Sequence, residues 1–149
     1  MTHFSGKTPR EILDHFKAQA EEMLMRQGNF HPMAIMLVRN TLMPMVLDFS
    51  SKDARRASLS IIQDSVRLYQ PDFVLLLILE KETGREEGSL PGNEYLPASI
   101  ATPRESHSEC LPLRREGNSL SLGQDRGDMP EDALILGPEM WDAPPLDLH

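Results

Sequence analysis

Asp48, Glu80 and His31 carry more chemical potential than any other residues in this sequence. Each stands at one end of an apolar run: His31 before Met33–Val38, Asp48 after Leu42–Leu47, Glu80 after Phe73–Leu79. Two carboxylates and an imidazole gathered at one edge of a sheet would hold a divalent cation or carry out acid–base work. The plainer use is structural. Strands end on polar residues, and Asp48 beside Ser50 and Ser51 is placed to help cap a helix.

Three familiar patterns are approached and missed. Restriction-type nucleases place a lysine two residues after the second carboxylate, whereas Lys81 follows Glu80 directly. Neighbouring strand residues point to opposite faces, so that pattern fails. His31-Pro32 lacks the second histidine and spaced aspartate of a zinc deubiquitinase-like site. Gly6-Lys7-Thr8 imitates the end of a phosphate-binding loop without the upstream glycine and strand. No catalytic, metal or cofactor site is therefore assigned, and no cofactor is expected.

Other groupings suit binding better than catalysis. Lys52, Arg55, Arg56 and Arg67 make one helix locally basic, but only Tyr69 stands near them, and the overall charge of −8 opposes a nucleic-acid partner. Met33, Met36, Met43 and Met45 could form an adaptable contact face, with core filling the commoner use. The acidic-apolar stretch from Met129 to His149, which holds the sole tryptophan, reads equally as a docking peptide or as a segment folded back over the domain's own edge strand. Cys110 is the single cysteine, so an internal disulfide is excluded and a reducing compartment is expected.

The elements that must position these residues are written in local signals. Thr8-Pro9-Arg10-Glu11 is a capping box with proline at the first helical position, and Gly28 supplies a stop. Between them Ile12, Leu13, Phe16, Ala20, Met23 and Leu24 recur at helical spacing. Met33–Val38 and Leu42–Phe49, broken by Arg39-Asn40-Thr41, read as a hairpin. Pro44 cannot donate to a ladder, which places the second strand at an edge or starts its pairing at Met45. Ser50 and Ser51 open a second helix with Ala54, Ala57, Ile61, Ile62, Val66 and Tyr69 on its apolar face.

Phe73–Leu79, apolar throughout, reads as the central strand. A crossover through the second helix would then pair the second and third strands in parallel, bringing Asp48, Glu80 and His31 to one side. The fold class is α+β, a helix–hairpin–helix–strand core forming a small mixed sheet flanked by two helices. Residues 83–113, punctuated by Pro91, Pro97, Pro103 and Pro112, read as an extended mobile loop, with short strands near 118–122 and 133–136.

Charge divides the chain. Residues 1–81 hold ten Lys/Arg and nine Asp/Glu, net +1, while 82–149 hold five and fourteen, net −9. The first portion also takes six of the eight aromatics and seven of the nine methionines, and the second takes eight of the twelve prolines. The expected organisation is a folded unit over 1–82 and a partly ordered acidic segment over 83–149. With no signal peptide and no apolar run near ~20 residues, the chain reads as soluble and cytoplasmic.

The capped helix, hairpin, second helix and run from Phe73 to Glu80, followed by Pro103-Arg104-Glu105 and Arg114-Arg115-Glu116, resemble small α+β proteins of bacteria and their phages. The resemblance reaches to about residue 122, and it implies a fold and a source without an activity. The function expected is that of a non-enzymatic accessory or protein-interaction protein. The rival is a small metal-assisted hydrolase using Asp48, Glu80 and His31.

Overall fold

The computed structural model describes residues 4, 6–28, 32–81, 94–116, 119–127 and 136–142. Helix α1 spans Pro9–Gln27, and its capping box is formed: Glu11 N–H donates to Thr8 Oγ1, and Thr8 N–H donates to Glu11 Oε1. Gly28 ends the helix in a left-handed conformation, φ 73°, and its N–H reaches Leu24 O. Strands β1 (Met33–Val38) and β2 (Thr41–Val46) follow, then helix α2 (Lys52–Tyr69), capped by Ser51, whose Oγ accepts from Ala54 N–H. After these come β3 (Phe73–Leu77), β4 (Glu80–Lys81), β5 (Glu94–Ala101), β6 (Ser106–Glu116), β7 (Ser119–Leu122) and a 3-10 turn at Pro138–Trp141.

The class is α+β. The strand order is β2-β1-β3-β5-β6-β7, with β4 also on β5, and every pairing among the described residues is antiparallel. This corrects the expected mixed sheet. β2 and β3 do run the same way, but β1 lies between them, its register set by Met33↔Val46 on one side and Met33↔Leu77 on the other. The reason is geometric. A tight hairpin already occupies β1 with β2, and β3 then adds to the free side of β1, where Ile35 and Leu37 meet Leu75 and Phe73.

The loop expected over 83–113 gives way to two strands from residue 94 onward. Pro97 and Pro112 are accommodated inside them because each sits where its missing N–H costs one bond and no more. Leu77 faces Ala98 and Glu80 faces Tyr95, so the register carries straight through and sets Ile78 opposite Pro97. There Ile78 N–H donates to Pro97 O, and the return bond is absent. β4 is thus the continuation of β3, interrupted at that proline. Pro112 repeats the arrangement, accepting from Gly123 N–H across the β6–β7 pair.

The core is divided by strand alternation. Ile35, Leu37, Phe73, Leu75, Leu77, Leu96, Ile100 and Leu111 cluster with Ile12, Leu13, Phe16 and Leu24 of α1. Ala34, Met36, Val74, Leu76 and Ala101 cluster with Ile62 and Val66 of α2. The sheet therefore crosses the boundary expected at residue 82, because β5 and β6 supply the α1-side core with Leu96, Ala98, Ile100, Leu111 and Leu113. A strand does form at Ser119–Leu122; the one expected at 133–136 lies outside the described residues except for Leu136, which is in no strand. Among the described residues no helix is long and apolar enough to cross a membrane.

Candidate functional site

Asp48 and Glu80 do not come together as expected. The parallel pairing that was to unite the carboxylates is absent, and with β1 between them their strands stand roughly 10 Å apart at ordinary sheet spacing. Asp48 is exposed just past β2, where Oδ1 accepts from Ser50 N–H at 2.9 Å. That contact with Ser50 holds its carboxyl below the usual range. Glu80 lies in β4 opposite Tyr95, and His31 lies outside the described residues. Among the described residues no three His, Cys, Asp or Glu form a set able to hold a metal ion.

The basic face of α2 is partly engaged locally. Arg55 lies 5.7 Å over the Phe49 ring, and Arg67 pairs with Asp64 at 3.8 Å. Met36 is fully buried, and Met33 and Met45 pack against opposite core clusters, so those three methionines serve the interior.

A charge cluster surrounds the buried carboxylate of Glu109, a residue outside every candidate site read from the sequence. Lys17 Nζ of α1 lies 2.8 Å from Glu109 Oε1 of β6 and 2.9 Å from Asp14, while Glu109 Oε2 meets His107 Nε2 at 2.8 Å. Burial opposes the charge on Lys17, but the bonds to Glu109 and Asp14 outweigh it and raise its pKa. Nearby, Asp125 accepts the Cys110 and Gly127 N–H groups, and these contacts overcome desolvation to lower its pKa. Cys110 itself is buried. The cluster joins α1 to the sheet, and the hidden carboxylate has its partners already. His107 and Glu109, two apart on one strand face of β6, are the only mark of the cluster in the sequence, and it is legible only where that stretch is a strand.

The two sheet margins differ. At the β7 margin, Glu21 Oε2 of α1 accepts the Leu122 N–H at 3.1 Å, covering that edge. At the other margin, no described strand pairs with the outer side of β2. Leu47 N–H donates inward to Pro32 O, so Met43 and Met45 also bond toward β1 and the alternate residues Leu42, Pro44 and Val46 face outward. Their side chains lie on the α1 face beyond its cover: Leu42 is 42% exposed and Val46 75%. The edge stops at Asp48, whose N–H and C=O are both engaged by the Ser58 hydroxyl.

The tail segment is also placed. Leu136 is buried with its N–H on Ser99 Oγ at 2.9 Å, and Trp141 Nε1 donates to Pro71 O at 3.0 Å. Residues 136–142 thus fold back on the domain, against the α2-side core.

Comparison with known protein families, with curated proteins and with solved structures finds no match.

Proposed function

We propose that this protein is a cytoplasmic, non-enzymatic accessory protein that acts by binding another protein. In this reading the sheet, with α1 over one face and α2 over the other, is the scaffold, and the outer side of β2 is the contact. The supporting observation is that edge: outward backbone groups with Leu42 and Val46 exposed beside them. Natural sheets usually blunt such margins with charge, proline or cover, and this edge carries one proline, Pro44. The acidic tail is the weaker candidate, since Leu136, Met140 and Trp141 are drawn onto the α2-side core. Kinship with small bacterial and phage proteins belongs to the same proposal and rests on element order.

The experiment is cross-linking capture from host lysate with wild type, Val46→Lys and Trp141→Ala. The reading expects one specific partner that Val46→Lys loses and Trp141→Ala keeps. Capture indifferent to Val46→Lys and to Leu42→Lys alike would refute it.

A further inference from the structure

We infer that the outer edge of β2 takes an antiparallel extended strand from a different protein, with a residue that keeps its N–H, best a glycine, facing Pro44. The inference rests on the interaction reading above and specifies its partner. Pro44 looks like a block, because its nitrogen has no hydrogen and faces outward. The sheet itself shows how such a position is paired. Ile78 N–H donates to Pro97 O and Gly123 N–H donates to Pro112 O, and the strands stay in register around both. A Cβ on Gly123 would come within 2.8 Å of the Pro112 ring, so glycine is the easiest neighbour for a strand proline here.

A second copy of β2 fits poorly. Pairing Leu42 with Val46 sets Pro44 against Pro44, where neither has a hydrogen to give and each ring meets the other's carbonyl. Shifting by two residues one way sets Leu42 against Asp48, whose backbone is already held by Ser58, and the other way sets Val46 against Asn40, which is in the turn at φ 66°. A different strand escapes both conflicts. Every described pair in this sheet is antiparallel, and exposed Arg39 stands at the start of β2 with exposed Asp48 beyond its end. An antiparallel partner complements them with a basic residue at its N-terminal end and an acidic one at its C-terminal end. Apolar residues two places on either side of the glycine lie against Val46 and Leu42.

The probe is a fluorescent peptide, Lys-Thr-Val-Thr-Gly-Thr-Val-Thr-Glu, titrated with the full chain by anisotropy. Saturable binding is expected with a Kd of roughly 0.1–1 mM. Replacing its glycine by sarcosine removes the N–H destined for Pro44 O and should weaken binding about tenfold. Val46→Lys should weaken it about as much, and Ile61→Lys, exposed on α2, should not. Circular dichroism confirms that both variants fold. Absent binding, equal binding of the sarcosine peptide, or a chain dimer abolished by Val46→Lys would overturn the inference. If the peptide fails while Val46→Lys still abolishes partner capture, strand addition falls and the interaction reading stands.

Discussion

Lys17 and Glu109 are 92 residues apart in sequence and 2.8 Å apart in the fold. Glu109 is only 7% exposed, so removing its cation leaves a carboxylate poorly solvated. Lys17→Met is expected to cost about 2 kcal/mol in urea unfolding, and adding Glu109→Leu should recover most of it. The raised pKa of Lys17 means its contribution is complete below the unfolded value and fades only as pH rises through the folded one, in strongly alkaline solution. Asp125 works in the opposite sense. Its lowered pKa gives a contribution present above the unfolded value and lost as pH falls through the folded one, below about pH 4. Asp125→Asn should therefore flatten the acid limb of the stability–pH curve; an unchanged limb would assign acid sensitivity to other groups. Gly123→Ala, which drives a methyl into the Pro112 ring, should cost about 1–2 kcal/mol, and less in a Pro112→Val background.

Among the elements, the β1–β2 hairpin shows a local rule bent by its residues. Arg39 and Asn40 form a two-residue turn with φ 49° and 66°, the left-handed pair that a type I′ turn requires. Asparagine tolerates that region; arginine does not favour it. Arg39→Asn should raise stability by about 0.5 kcal/mol, read as a shift in urea midpoint at unchanged slope. The hairpin, both helices and the β3 strand were readable because their signals are short-range: a capping box, a stop glycine, helical spacing, an apolar run. Strands β5 and β6 were not. Pro97 and Pro112 are strand breakers in general, and only the partners Ile78 and Gly123 show why each is tolerated.

At the scale of the whole molecule, one sheet joins parts that composition separates. The first 81 residues hold most aromatics and methionines, yet the α1-side core is completed by Leu96, Ile100, Leu111 and Leu113. A fragment ending at Lys81 would expose the free side of β3, a strand buried at every residue. It should show no cooperative melt by circular dichroism, whereas a sharp transition would restore the expected division near residue 82. Leu136, 1% exposed, anchors the returning tail, and Leu136→Ala should cost about 2–4 kcal/mol.

Composition and local pattern by themselves determined the α+β class, the capped helices, the hairpin and the apolar third strand, because each depends on neighbours within a few residues. The antiparallel order of the sheet, the parting of Asp48 from Glu80, the Lys17–Glu109–His107 cluster and the contrast between a covered edge and one that no described strand pairs were decided by tertiary structure. Strand neighbours are chosen by burial across the whole chain, and no local spacing records which distant strand will stand alongside.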